Sequence, residues 1–138
     1  MKVVLDTNVI VSGLLSPFGP AGQIIRQIAS GDLELCYDAR ILSEYKSVLV
    51  REKFPFIRES VEDFLDQIKV NGNLATGKPL VKRLPDKDDE PFLEVALACG
   101  TKYLVTGNLK HYPTKMREGV LVLSPAEFLE IYRKNPAE

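Results

Sequence analysis

The chain has 138 residues, 45% of them hydrophobic and 27% charged, a balance that fits a soluble globular protein and argues against extended disorder. Eighteen basic residues against nineteen acidic ones give a formal charge of −1, which excludes a whole-molecule field for nucleic acid and confines any polyanion site to a local patch. A chain this long buries roughly two thirds of its unfolded surface, so one domain over residues 1–138 is expected, with 134–138 as a frayed tail.

Val3 to Leu5 reads as a strand, Val9 to Leu15 as a short helix, and Gly22 to Ala29 as a helix after Pro20. Leu33 to Tyr37 is the second strand, and Asp38 caps a helix running to about Arg51. Glu59 to Val70 is helical, Leu80 to Lys82 a short strand, and Pro91 to Ala98 a helix ending at Gly100. Tyr103 to Val105 and Val120 to Leu123 are strands, and Pro125 opens a final helix. Strands separated by helices imply an α/β fold with a parallel sheet covered on both faces. Cys36 and Cys99 lie in apolar surroundings and are expected as small core residues; with a single His they cannot build a tetrahedral zinc site. No apolar stretch approaches 18 residues and the N-terminus runs straight into a strand, so a cytoplasmic protein without membrane contact is expected.

Three acids break this apolar pattern. Asp6 ends the run Val3-Val4-Leu5, just beyond a strand's carboxyl end, where open parallel sheets bind ligands. An ionised carboxylate pushed toward such an interior costs several kcal/mol unless a partner or metal neutralises it; the plain alternative is a helix N-cap. Glu44 falls on the stripe Ile41, Tyr45 and Val48, where an apolar residue is expected, the alternative being a salt bridge to Arg40 or Lys46. Asp89 precedes Phe92 by three and Leu93 by four, which continues that helix's inward stripe past its start. Asp88 or Asp89 would also serve as an N-cap, and Asp86 and Asp88 are expected to be exposed. Thr106-Gly107-Asn108 follows the strand Tyr103-Leu104-Val105 and places a hydroxyl and an amide where Asp6 and Asn8 stand on their own strand; a simple turn is the alternative. Three convergent carboxylates repel one another and raise at least one pKa. A hard divalent cation removes the conflict, and oxygen-only ligands favour Mg²⁺ or Mn²⁺. Metals in such clusters lower the pKa of bound water and stabilise phosphoryl transition states.

With these residues in view, the sequence resembles the PIN-domain family of metal-dependent nucleases, in particular its prokaryotic branch of VapC-like toxins from toxin–antitoxin pairs. The carrying features are Val4-Leu5-Asp6-Thr7-Asn8, Ile41-Leu42-Ser43-Glu44-Tyr45, Asp89 through Phe92-Leu93-Glu94 to Ala96-Leu97, and Tyr103 through Thr106-Gly107-Asn108, in that order along nearly the whole chain. The resemblance implies a three-layer α/β/α sandwich with a central parallel sheet and an Mg²⁺ or Mn²⁺ site that hydrolyses RNA phosphodiesters. By motif position Asp6, Glu44 and Asp89 take the places of the family's metal-binding acids, and Asn8 and Thr106 match positions that orient ligands or water. Asn108 stands where many members carry a fourth acid, which bears on a second metal. The resemblance also implies a small antitoxin protein as partner and a homo-oligomer, a dimer foremost.

His111 follows closely and could contact phosphate; the alternative is an ordinary surface residue. Two basic runs flank the site: Lys78, Lys82, Arg83 and Lys87 before Asp89, and Lys102, Lys110, Lys115 and Arg117 around Asn108. Of these, Lys82, Arg83, Lys87 and Lys110, with His111, are the candidate RNA contacts. Two other readings compete. One is a catalytically weak RNA-binding or partner-binding module on the same fold; the other is a phosphatase of the haloacid dehalogenase type, which needs a second Asp where this chain has Asn8.

Overall fold

The computed structural model describes residues 1–134. Val3, Val4 and Leu5 have no exposure at all, as befits a strand covered on both faces, and they form β1 (Lys2–Leu5) at the centre of the sheet. Flanking it in parallel are β2 (Glu34–Tyr37) and β4 (Tyr103–Val105), with β3 (Asn73–Leu74) and β5 (Leu121–Leu123) at the edges. The order is β3-β2-β1-β4-β5, all parallel. Successive connections leave β1 in opposite directions, so a topological switch point lies between β1 and β4.

Six helices complete an α/β/α sandwich: α1 (Thr7–Leu15), α2 (Pro20–Ala29), α3 (Ala39–Leu49), α4 (Arg58–Asn71), α5 (Glu90–Cys99) and α6 (Pro125–Lys134). α5 lies across β1, β2 and β4, while α6 packs on β4 and β5 and against α2. α3 touches α1, α4 and α5, which sets it beside the carboxyl end of the sheet. Local chemistry fixes the ends. The Asp38 carboxylate accepts the Ile41 amide at 3.0 Å and caps α3 as expected. Pro20 opens α2 two residues earlier than the apolar pattern suggests, because its fixed φ suits the first helical turn. Gly100, at φ 72°, stops α5 in the left-handed conformation that residues with a Cβ avoid.

The edge strand differs from expectation. Leu80 to Lys82 is not a strand; Asn73–Leu74 pairs with β2 instead, and the Ala75 amide continues the ladder to the Tyr37 carbonyl at 2.9 Å. Pro79 has no amide to give a ladder, Leu80 is buried as a single anchor, and Val81 is 90% exposed. Two residues on an edge are too few for a period-2 pattern to register. At the C-terminus, Lys134 closes α6, and the other positions of the expected 134–138 tail lie outside the described residues. Among the described residues no helix is long and apolar enough to cross a membrane.

Candidate metal centre

The register Leu5↔Val105 carries the chain ends of β1 and β4 out of the sheet side by side. Asp6 and Thr106 therefore emerge as neighbours. The Thr106 hydroxyl donates to Asp6 Oδ2 at 3.0 Å, and the Gly107 amide donates to Asn8 Oδ1 at 3.2 Å. Two strand ends thus face one crevice, as the repeated pattern predicts. Asp6 occupies the N-cap position of α1 but makes no capping hydrogen bond. Its Oδ2 is held by Thr106 and by the buried Tyr112 hydroxyl, which donates at 3.2 Å.

Beyond Asp6 opens a cavity of about 540 Å³, walled by Asp6, Thr7 and Asn8, by Glu44 of α3, and by Asp88 and Asp89 at the approach to α5. Glu44 accepts a hydrogen bond from the Thr7 hydroxyl. The salt-bridge alternative does not hold: Arg40 pairs with Asp38 and Glu94, and Lys46 pairs with Glu62. Nor does Asp89 cap a helix; Asp86 does that work, accepting the Asp88 amide at 2.9 Å in the 3₁₀ turn Lys87–Asp89. Asp89 is left buried with Oδ2 lacking any hydrogen bond, since His111 Nδ1 stands 3.2 Å away but outside hydrogen-bond geometry.

Burial pushes all three carboxyls above their ordinary range. Asp6 is raised by burial, against hydrogen bonds from Thr106 and Tyr112. Glu44 is raised by burial and by the charges of Asp6 and Asp88. Asp89 reaches about 6, chiefly through burial and then through the charge of Asp6, with His111 opposing. Burial is the first cause in each case, and repulsion from neighbouring acids adds to it for Glu44 and Asp89. The donors fit a hard divalent cation: three carboxyls on separate elements, one with an orphaned oxygen, and no soft ligand among them. They are not drawn up around a single point, however. Among the described residues no three His, Cys, Asp or Glu side chains stand close enough to hold an ion. Glu44 is engaged by Thr7 and Asp6 by Thr106 and Tyr112, so binding requires these side chains to turn or to reach an ion through water.

A stability prediction follows from the raised values. A carboxyl with a higher pKa in the folded than in the unfolded state makes folding take up protons, so stability falls as pH rises between the two values. For Asp89 that window runs from 3.8 to about 6. Metal-free protein in EDTA is expected to melt several degrees lower at pH 7 than at pH 5, and Asp89→Asn to flatten that slope. Equal slopes for both proteins would show that Asp89 does not carry the strain.

The remaining expected site residues divide. Asn108 is exposed, and its side-chain amide pairs with His111 Nε2 at 2.8 Å, while its backbone amide donates to Thr106 Oγ1 at 3.1 Å. Asn108 does not line the cavity, and its partner His111 is half-buried beside Asp89 and not a bare surface residue. Lys82, Arg83, Lys87 and Lys110 are exposed and do not line the cavity; Arg83 faces Glu90 at 3.5 Å. The cations that do line it are Arg51 and Lys53, beyond the end of α3, with Phe54 next to them. Arg51 lies seven residues after Glu44, a spacing that would share its face if the helix ran on to Arg51; α3 ends at Leu49, and the turn after it brings Arg51 to the cavity. Tyr112 gives no signal, because nothing in the sequence marks a tyrosine as a hydrogen-bond donor to a residue 106 positions away.

A parallel sheet whose switch point opens into a cavity walled by acids from three elements defines a doubly wound α/β/α domain with an anionic, cation-seeking site. Residues 2–110 match the PIN domain, and the chain belongs to the PIN-domain family, whose members are in general nucleases that use divalent metals. No curated protein matches the chain. Among solved structures it is similar to VapBC2 from Rickettsia felis bound to a DNA fragment from their promoter, at a TM-score of 0.57 and 16% identity, covering 90% of this chain and 98% of that one. At that identity the likeness concerns the fold.

Proposed function

We propose that this chain is an Mg²⁺- or Mn²⁺-dependent endoribonuclease, acting as one nuclease domain and serving as the toxin of a toxin–antitoxin pair. The observation that carries the reading is the convergence of Asp6, Glu44 and Asp89 on one cavity with all three carboxyls raised in pKa. In this reading those three acids hold the ion, which when bound supplies charge neutralisation, an acidified water and stabilisation of the phosphoryl transition state. Thr106 and Tyr112 fix one oxygen of Asp6 and so hold its carboxyl at the cavity wall. Asn8 is tied to the Gly107 amide and holds the two strand ends together. Arg51 and Lys53 carry the positive charge that a phosphodiester backbone needs beside the acids, with the Lys53 ammonium resting over the Phe54 ring at 5.1 Å. Membership in the PIN-domain family supports nuclease chemistry, and the fold likeness to VapBC2 supports a small antitoxin as partner. A cytoplasmic homodimer accords with the same family resemblance. The phosphatase alternative loses its support with the family match, and Asn8 is occupied in a structural hydrogen bond.

A specific observation favours a second reading, a catalytically weak module: Asn108 adds no charge and is turned to His111. One assay separates the two. Purified protein with Mn²⁺ should cleave a labelled single-stranded RNA internally and stop on addition of EDTA. Asn108→Asp should raise the rate most at low metal, because a further acid strengthens binding of a second ion. No cleavage by wild type together with strong binding of the RNA would decide for the module, and metal-independent cleavage would overturn the metal-centre reading.

A further inference from the structure

Outside the acidic cavity, one pair of reactive side chains is unused by the proposed chemistry. Cys36 is fully buried within β2, and Cys99 is the half-buried last residue of α5. They lie 63 positions apart in the chain, yet their Sγ atoms are 2.7 Å apart. That is inside ordinary contact for two sulfurs and a short displacement from the disulfide bond length of about 2.05 Å. The pair is not half of a metal site, since among the described residues no third His, Cys, Asp or Glu completes one. Both are free thiols.

We propose that Cys36 and Cys99 form an oxidative modification site, a dithiol that hydrogen peroxide converts reversibly into an intrachain disulfide joining β2 to the end of α5. Cys99 is the entry point because it alone reaches solvent. The hydrogen bond it shares with Cys36 lowers its thiol to about 7, while the same bond and burial push Cys36 up, so the proton stays on Cys36 and the thiolate forms at Cys99. The Cys99 thiolate attacks a peroxide oxygen: an S–O bond forms, the O–O bond breaks, and the departing hydroxide takes up a proton as water. The Cys36 sulfur then attacks the Cys99 sulfur; the S–S bond forms, the S–O bond breaks, and hydroxide leaves with the Cys36 proton as a second water. Two thiols lose two electrons and one peroxide becomes two waters, so the step balances.

The bridge joins the two elements that lead to the acids: β2 runs into α3, which bears Glu44, and α5 follows Asp89. Closing so long a loop restricts the unfolded chain and should raise the melting temperature by about 10 °C. The test treats the reduced full-length protein with hydrogen peroxide. Expected are an intact mass lower by two hydrogens, loss of both titratable thiols under denaturing conditions, the higher melting temperature, and full reversal by dithiothreitol. Cys99→Ala, at a helix end where little packing is lost, should abolish the mass change and the stabilisation, and Cys36→Ala should do the same where it folds. Two thiols still titratable after peroxide, a sulfinic acid at Cys99, or a cross-link between chains would overturn the proposal. So would an intrachain disulfide that leaves the melting temperature unchanged.

Discussion

Asp6→Asn is expected to lower metal-dependent RNA cleavage by about a thousandfold, since losing several kcal/mol of charge stabilisation at the transition state removes that much rate. The substitution is nearly isosteric. Asn can still accept from Thr106 and Tyr112, so the two donors keep a partner and the strand ends keep their spacing. What disappears is one negative charge at a buried place. Because burial already raises the Asp6 pKa, the metal-free variant should be as stable as wild type or more so. With Mn²⁺ the order reverses: an ion at a hundredfold excess over its Kd adds about 2.7 kcal/mol to wild type through mass action, and the variant should lose most of that gain. Melting curves with and without Mn²⁺, run beside the cleavage assay, measure both effects on one sample. Equal metal-induced shifts in the two proteins would remove Asp6 from the ligand set.

The placement of the acids explains why so much of this candidate site is legible in the sequence. A carboxylate on an inward stripe is a conflict between pattern and solvation, and such conflicts survive where function requires them. Asp6 is visible as an acid that ends an apolar run, Asp89 as an acid that continues the inward stripe of Phe92 and Leu93, and Glu44 as the wrong residue on the face of Ile41 and Tyr45. The strands β1, β2 and β4 were legible for the complementary reason, as short runs with few polar residues. Less was legible where the determinant is a pairing between distant segments. β3 is defined by two hydrogen-bonded residues against β2, and its side chains follow no pattern of their own. Arg51 and Lys53 enter the cavity because α3 ends there, while the flanking lysines that looked better placed in sequence point to solvent. The approach of Cys36 to Cys99 likewise comes from laying α5 across the sheet, which no spacing in the chain encodes.

The same helix crossing gives the largest stability effect expected of a single change outside the cavity. Arg40, on the first turn of α3, forks between two acids: Nη2 meets Asp38 Oδ2 at 2.8 Å, and Nη1 meets Glu94 Oε1 of α5 at 2.7 Å. The Glu94 side chain is only 5% exposed, whereas Arg40 is 48% exposed. Gly77 lies over the pair so closely that a Cβ there would stand 2.8 Å from the Glu94 Cβ and 2.9 Å from Arg40 Nη2. Arg40→Ala therefore leaves a buried carboxylate without its cation beneath a backbone that gives it little room. Breaking a buried pair from one side costs about 3–5 kcal/mol, and the half-exposed arginine places the loss near the lower figure. In a chain of this size that is a fall of roughly 10 °C in melting temperature. Glu94→Leu in the Arg40→Ala background should recover much of it, because an apolar replacement no longer strands a charge. The pair also ties the helix bearing Glu44 to the helix that follows Asp89, so Arg40→Ala assayed well below its melting point should bind Mn²⁺ more weakly. Thermal melts of the two variants and Mn²⁺ titration of the folded single mutant check both claims. A melting temperature within a degree or two of wild type for Arg40→Ala would mean that Glu94 finds water or another donor, and that the two helices are positioned by their apolar contacts alone.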